Sequence, residues 1–537
     1  MDVSGVKKAA APETQRCRQW ISAGGFMCSD RRSILILLKL YIIQGIPLGL
    51  RAVIPLIIYD KVSYSQLAYL SCTGLPFCLK LLWAPIVESV YCRRFGKRKS
   101  WIVPIQLICG ILLIYGSIDK KIDSWVGDHG EPVNIVALTV YFTMLCMLMA
   151  TQDIVVDGWA LTILRPEMRV HASTCNTAGQ ALGINIAFVG FTVLNSRRFC
   201  LKLYGLWMWV VGLLGLESLP LTDEGVLNFQ PFATLSGLTW FFGIVTILST
   251  VLVIFIAEVD EQPVLVELPK ITELRTKGHA GNVHTMQQVI TKSYTLLLEI
   301  MELKPTRLLC RILLTYGFFY SAENPAELKL LEKGISKDLF AAVTPMMIPL
   351  EIMGPPFVGS YAMCTCTQQI TMIMHKSSTT DVLYKGMCAR LFSMVSYIGL
   401  VVMTGIYYAG ESHGVLADAC FYTFFLTVSI FRRLCCLIVS VSYMSLFAKV
   451  ADPSIGGTYM TLLNTLANIG ELLPRAIGLR LIDSLGHPDR KGADGLYIEV
   501  LLCVVAGIVF LPQYRKILNQ LDSFDTNDWY VNKFALE

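Results

Sequence analysis

The chain has 537 residues, 54% of them hydrophobic and only 16% charged, with a formal net charge of +5. Soluble domains carry roughly 25% charged residues, so this composition excludes an ordinary soluble enzyme and points to the membrane class. The positive excess lies in short loops and forms no basic stripe, which argues against nucleic acid as a partner and leaves a lipid bilayer as the surroundings.

A bilayer core asks for about 20 mostly apolar residues per helical span. Windows of that kind recur along most of the chain. Backbone groups in lipid must find partners within their own segment, so these windows are predicted to be helices, and the short alternating strands of a β-barrel are not seen. Residues 1–32 are polar and basic, with no apolar stretch before a small-residue site, and read as a cytosolic tail without a cleavable signal. Spans follow at Ser33–Tyr59, Gln66–Tyr91, Trp101–Ile118, Val133–Leu164, Ala172–Leu194 and Leu238–Ala257. The polar stretch Glu258–Lys304 is a linker, and a second set of spans runs at Arg307–Leu330, Leu339–Tyr361, Met387–Tyr408, Val415–Leu446, Gly457–Ile482 and Leu496–Tyr514. The predicted fold is therefore an all-α membrane protein, a twelve-helix bundle of two six-helix halves, 33–257 and 305–514, with a cytosolic tail at 515–537.

Loop charges set the orientation. Lys7, Lys8, Arg16, Arg18, Arg31 and Arg32 precede the first span, Arg93, Arg94, Lys97, Arg98 and Lys99 follow the second, and Arg165 and Arg169 follow the fourth. The third loop instead holds Asp119, Asp123, Asp128 and Glu131. The positive-inside bias places both termini and the linker in the cytosol. Leu203–Leu221 is apolar enough for another span, but counting it would send the basic group His375, Lys376, Lys385 and Arg390 outside; it is read as a luminal or interfacial insertion.

An internal repeat supports the two halves. Arg165-Pro166 and later Asn176-Thr177 follow the fourth span; Asp452-Pro453 and later Asn464-Thr465 follow the tenth, the pair trailing its proline by ten and eleven residues. Gln44-Gly45-Ile46-Pro47-Leu48-Gly49 and Glu323-Asn324-Pro325 are predicted to interrupt the first and seventh helices, the device with which carriers build substrate sites.

Charges inside spans cost about 2.5–3.5 kcal/mol each on insertion scales and need a reason. Here they are Arg51, Lys80, Asp153, Asp157, Arg311, Glu323, Arg432, Arg433, Glu471, Arg475 and Arg480, seven basic against four acidic. An electropositive cavity suits a polyanionic cargo; interhelical ion pairing or snorkelling is the bland alternative. The adjacent Arg432-Arg433 has no acid nearby in sequence. Asp153 and Asp157, four apart, share a helix face and are read as gating or coupling groups. The bland reading, favoured for Asp157, is a latch to the basic loop that includes Arg94 and Arg98. Trp83, Trp159, Tyr316, Tyr320 and Tyr459 offer rings that could stack on a base, although such rings more often pack between helices. The seven histidines (His129, His171, His279, His284, His375, His413 and His487) all fall in loops or at span edges, which disfavours a membrane-bound acetyltransferase with a buried general base. The 17 cysteines lack zinc-ligand spacing, Cys364-Thr365-Cys366 being read as structural, and no phosphate-binding glycine loop supports ATP-driven pumping.

Several blocks are similar to the acetyl-coenzyme A transporters of the endoplasmic reticulum. They are Gln44-Gly45-Ile46-Pro47-Leu48-Gly49, Leu79-Lys80-Leu81-Leu82-Trp83-Ala84-Pro85, Phe95-Gly96-Lys97-Arg98-Lys99-Ser100-Trp101, Gln152-Asp153-Ile154-Val155-Val156-Asp157-Gly158-Trp159 and Gly456-Gly457-Thr458-Tyr459-Met460-Thr461-Leu462-Leu463-Asn464-Thr465. The resemblance implies a major-facilitator fold, residence in the endoplasmic reticulum membrane, import of cytosolic acetyl-CoA, no bound cofactor or metal, and homodimers. The chain departs from that pattern at Glu323-Asn324-Pro325 and Glu471-Leu472-Leu473-Pro474, and in carrying Arg51, Arg432 and Arg433. The candidate substrate-binding residues are Gln44, Arg51, Lys80, Trp83, Asn176, Gln180, Glu323, Arg432, Arg433, Tyr459 and Asn464. The candidate gating or coupling residues are Asp153, Asp157, Arg94 and Arg98. A major-facilitator carrier of another anionic or peptide-like solute stands as the alternative.

Overall fold

A computed structural model describes residues 27–92, 94–127, 130–164, 170–213, 231–255, 294–336, 378–410, 414–451, 456–485 and 495–531, with position 291 and scattered positions between 339 and 354. The linker up to residue 290, the loop cations Arg93, Arg165 and Arg169, the Asp452-Pro453 block, Cys364–Cys366 and all but ten positions of the eighth predicted span lie outside the described residues.

The described elements are helical. In the first half they are α1 (Met27–Ile58), a broken second span, α2 (Tyr64–Ser71), α3 (Leu75–Leu79) and α4 (Ala84–Ser89), then α5 (Lys99–Ser117), α6 (Lys121–Trp125), α7 (Ile135–Ile163), α8 (Val170–Asn195), α9 (Arg197–Leu213) and α10 (Leu235–Ile254). The second half holds α11 (Lys304–Thr315), α12 (Glu323–Glu332), α13 (Thr379–Ala409), α14 (Val415–Val450), α15 (Gly456–Leu485) and α16 (Gly495–Ser523). Eight helices among the described residues are long and apolar enough to cross a bilayer, fewer than the twelve spans expected. The second and seventh spans are broken into pieces too short to qualify, and α15 carries Glu471, Arg475, Arg480 and Asp483.

The expected interruption of the first helix is not there. α1 runs unbroken through Pro47 and Pro55. Its glycines serve packing instead: a Cβ on Gly45 would stand 2.4 Å from the Gln180 carbonyl oxygen, and one on Gly49 equally close to that of Ile184. Across the contact, Gly179 and Gly183 of α8 are as tightly faced by α1. Glycines four apart on both helices let two backbones touch, which is how membrane helices gain van der Waals contact without a hydrophobic driving force. The second half repeats the device, with Gly317 against the backbone of Gly470 on α15. There the interruption is real: α11 ends at Thr315, a 3-10 turn spans Tyr316–Phe319, and Glu323 opens α12. The other broken span is the second, where Lys80 sits on a 3-10 turn between prolines at 76 and 85.

The third loop is tied down by its acid. Asp123 is buried and accepts hydrogen bonds from the backbone N–H and the hydroxyl of Ser236, holding the first turn of α10. α9 follows α8 after a single residue; it starts with Arg197 and Arg198 and exposes Leu206 and Trp207. The part of the predicted insertion beyond residue 213 lies outside the described residues.

The two sets of helices meet along α15, which packs beside α2 and α3, and at one end also through α12. Leu328 and Leu331 of α12 and Leu479 of α15 join an apolar cluster with Leu67 and Leu70 of α2. Polar contacts close the same end: the Tyr64 hydroxyl donates to Glu332 at 2.6 Å, Ser65 donates to Asp483 at 2.5 Å, and Arg480 donates to the Tyr69 hydroxyl at 3.3 Å. Leu248, Phe392, Ile406 and Ile508 are exposed, on faces that lipid would cover.

Candidate functional site

Two buried polar clusters hold most of the charged residues found inside the spans. In the first, Asp153 of α7 forms an ion pair with Lys80 at 2.6 Å, both side chains nearly inaccessible to solvent. The other oxygen of Asp153 accepts from Gln44 of α1 at 2.8 Å and from Gln180 of α8 at 3.1 Å. One turn along α7, Asp157 accepts from the Tyr41 hydroxyl at 2.7 Å and from the Asn176 amide at 2.9 Å. The glycine contact between α1 and α8 positions all four neutral donors, because Gln44 adjoins Gly45, Asn176 and Gln180 lie on either side of Gly179, and Tyr41 packs against Gly179. Gln44 Oε1 is buried with no partner.

The second cluster surrounds a cavity of about 120 Å³ lined by four arginines, Arg390, Arg432, Arg433 and Arg475, with Glu323 and Glu471. Arg390 of α13 grips Glu323 with two parallel hydrogen bonds, 3.0 and 2.8 Å, and its guanidinium lies 4.5 Å from the centre of the Tyr320 ring. Arg432 and Arg433 of α14 point apart, Arg432 to Glu327 of α12 and Arg433 to Glu351. Glu351 also accepts from Asn185 of α8 at 2.6 Å, so this chain of contacts joins the two halves. Arg475 lies 3.6 Å from Glu471 on its own helix. Two guanidinium nitrogens at the cavity, Arg432 Nε and Arg475 Nε, are buried without an acceptor among the described residues.

The structure thus brings Gln44, Lys80, Asn176, Gln180, Asp153 and Asp157 together in one cluster and Glu323, Arg432 and Arg433 in the other. Arg51 stands between α1 and the second span, donating to Thr73 at 3.3 Å. Trp83 is half-buried and its indole N–H donates to Thr151 at 3.2 Å. The Asn464 carbonyl oxygen is buried without a partner, away from the cavity lining. Four expectations change. Tyr459 is fully buried in the apolar core, its hydroxyl 2.8 Å from that of Thr306, so it offers no surface to a cargo. Trp159 is likewise core, and the ring of Tyr320 already carries Arg390. The latch expected between Asp157 and the basic loop is replaced by Tyr41 and Asn176; Arg98 instead lies buried against Gly158, filling the space a side chain there would take, while Arg94 is exposed. The acids that sequence neighbours did not offer Arg432 and Arg433 come from other helices, so the cavity carries mixed charge and is not simply electropositive.

Arg390 was missed as a site residue because it was grouped with the basic loop, although it falls inside the predicted span at Met387–Tyr408; α13 begins at Thr379, placing it three turns into the helix. Glu351 and Asn185 carried no sequence signal, being a lone acid and a lone amide in apolar runs. The side chains of all seven histidines lie outside the described residues.

The sequence model of the acetyl-coenzyme A transporter 1 family matches residues 33–493, which takes in both clusters. The chain belongs to this family. An uncharacterized membrane protein of Saccharomyces cerevisiae is 29% identical over 94% of this chain and 98% of its own length. An uncharacterized protein of Schizosaccharomyces pombe is 31% identical over 85% of this chain and 75% of its own length. The anhydromuropeptide permease of Escherichia coli K12 is 23% identical over 28% of this chain and 29% of its own. Among solved structures, a POT family transporter in complex with a thioalcohol-conjugated peptide covers 90% of this chain and 96% of its own, with a TM-score of 0.50 and 13% identity. This member of the acetyl-coenzyme A transporter family is therefore a multi-pass membrane transporter with the all-helical fold of major-facilitator carriers.

Proposed function

We propose that this transporter moves acetyl-CoA from the cytosol into the lumen of the endoplasmic reticulum by alternating access between its halves. The observation that carries the proposal is the arginine cavity with its two unused buried guanidinium nitrogens. Guanidinium groups offer forked donors that match phosphate oxygens, and an orphaned buried donor is costly unless a ligand takes it. Sites that enclose drug-sized ligands measure roughly 300–1,000 Å³. At about 120 Å³ the cavity is smaller than that, so a coenzyme enters only when the halves part. A cargo phosphate that competes with Glu351 for Arg433 would also loosen the Asn185–Glu351 contact that joins the halves, tying binding to their movement. The six-plus-six division and the cytosolic placement of the linker belong to this proposal, as do homodimers.

The test is uptake of labelled acetyl-CoA into proteoliposomes holding the purified chain, preloaded with unlabelled acetyl-CoA. Saturable, time-dependent exchange is expected; exchange no faster than in empty liposomes refutes the cargo.

A peptide-like anionic solute is the second reading. The observation favouring it is that every cavity arginine faces a carboxylate, which suits a cargo with both amino and carboxylate groups. It is in keeping with the peptide ligand of the POT transporter and the muropeptide named for the permease. Inhibition of acetyl-CoA exchange by oxidised peptide thiols but not by free CoA would favour this reading.

A further inference from the structure

One buried acid belongs to neither cluster. Glu499 lies one turn inside the start of α16, almost wholly inaccessible to solvent, with no cation at ion-pair distance among the described residues. Its Oε1 accepts a hydrogen bond from the Ser321 hydroxyl at 2.7 Å, and its Oε2 is buried with no partner among the described residues. Oε1 fills the space that a side chain at Gly478 of α15 would need. The Cys503 sulfur, one turn further along α16, stands 3.3 Å from the Ser321 oxygen. Ala322, Ala326, Ile482, Leu496 and Val500 make the rest of the surroundings apolar. Among the charged groups on the packed helices, Glu323 of α12 pairs with Arg390 of α13, Glu327 with Arg432, Lys329 with Glu332 and Arg475 of α15 with Glu471, while Arg480 donates to Tyr69. An ionised carboxylate placed there has one hydroxyl to offset its desolvation, whereas a neutral acid leaves only a carbonyl oxygen unpartnered. Ser321, its one hydrogen-bonding neighbour among the described residues, also lines the arginine cavity and lies in the break between α11 and α12.

We propose that Glu499 is the binding site for a proton that travels with the cargo, and that Ser321 connects it to the cavity. In the ionised state the Ser321 hydroxyl donates to Oε1 and the Cys503 thiol donates to Ser321. A bound proton sits on Oε1 and is donated to Ser321 Oγ, whose own hydrogen turns to the Cys503 sulfur. One proton is added, the charge of the carboxyl goes from −1 to zero, and no other bond changes. The helix joint at residues 316–322 then faces a neutral group on α16 instead of an anion.

This inference rests on the carrier reading above, and its test separates the two. The full chain is reconstituted in proteoliposomes with the membrane potential clamped at zero, and labelled acetyl-CoA is followed both in exchange and under an inward-directed proton gradient of one pH unit. For one proton per cargo that gradient corresponds to about tenfold accumulation. Wild type is expected to exchange and to accumulate; Glu499→Gln, neutral and of the same size, keeps exchange and loses accumulation, while Glu499→Asp keeps some of both. Accumulation that survives in Glu499→Gln overturns the proposal, as does wild-type accumulation driven by sodium and indifferent to pH. Should wild type fail to exchange acetyl-CoA, the cargo is wrong, and the proton site is still decided by infrared titration of the purified protein. A protonated-carboxyl band present in wild type and absent in Glu499→Gln supports the site, and identical spectra overturn it.

Discussion

Replacing Asp153 by asparagine tests how the first cluster is held. Lys80 is buried, and among the described residues the only carboxylate bonded to it is Asp153, at 2.6 Å. Asparagine keeps the shape and still accepts from Gln44 and Gln180, but it leaves the ammonium group of Lys80 facing an amide. Removing one partner of a buried ion pair costs about 3–5 kcal/mol, because the remaining charge stays desolvated. At about 1.4 kcal/mol per decade this is roughly two to three and a half decades in the folding equilibrium. Asp153→Asn is therefore expected to lower the folded fraction sharply in detergent unfolding. The double variant Lys80→Met with Asp153→Asn, which removes both charges, should regain most of the loss. Exchange measured on the refolded double variant then separates two roles for Lys80. A scaffold lysine gives back transport together with stability, and a cargo-binding lysine gives back stability alone. Equal stability of wild type and Asp153→Asn would refute the reasoning, since an unpaired ammonium at that depth cannot be free of cost.

Asp157→Asn should be milder, because its partners Tyr41 and Asn176 are neutral and hydrogen bonds to charged groups are worth about 1.5–3 kcal/mol; residual exchange equal to that of Asp153→Asn removes the distinction. Arg432→Ala with Arg433→Ala should weaken uptake strongly while leaving membrane insertion intact, and unchanged exchange would show the pair to be structural. Tyr459→Phe loses one buried hydrogen bond to Thr306, about 0.5–1.5 kcal/mol, and should leave the KM for cargo unchanged; a raised KM would return Tyr459 to the binding site. Gly183→Val should abolish folded protein, since even a Cβ there would collide with the backbone of Ile42 on α1, and normal expression would refute the tight helix contact.

The membrane class and most helices were legible because apolar runs of span length are their own signal, as the ends of α5, α7 and α10 show, within three residues of expectation. Charges inside those runs were equally visible, and all but Arg51, Arg311 and Arg480 landed in one of the two clusters. Partners were not visible. Glu327 and Glu351 lie 105 and 82 residues from the arginines they meet, and no local pattern joins them. The reading of Gln44–Gly49 as a break failed for a related reason. Glycine and proline in sequence mark either a bend or a close approach, and only the facing glycines of α8 decide between the two. The break at 316–322 falls just before the predicted Glu323-Asn324-Pro325, where the proline opens α12 and does not interrupt it.

The two clusters differ in what they ask of an anion. In the first, Lys80 is met by one carboxylate and two amides that touch the same acid, so its charge is already answered at short range. In the second, arginines on α13, α14 and α15 meet acids on α12, on α15 itself and at Glu351, and two buried Nε groups have no acceptor among the described residues. An incoming anion gains little by displacing a carboxylate that is itself an anion, because the guanidinium exchanges one partner for another. It gains where donors are unused, at Arg432 and Arg475, which stand on α14 and α15. Binding strength should therefore depend on Arg475 more than its loose pairing with Glu471 suggests, and on Arg390, held twice by Glu323, much less.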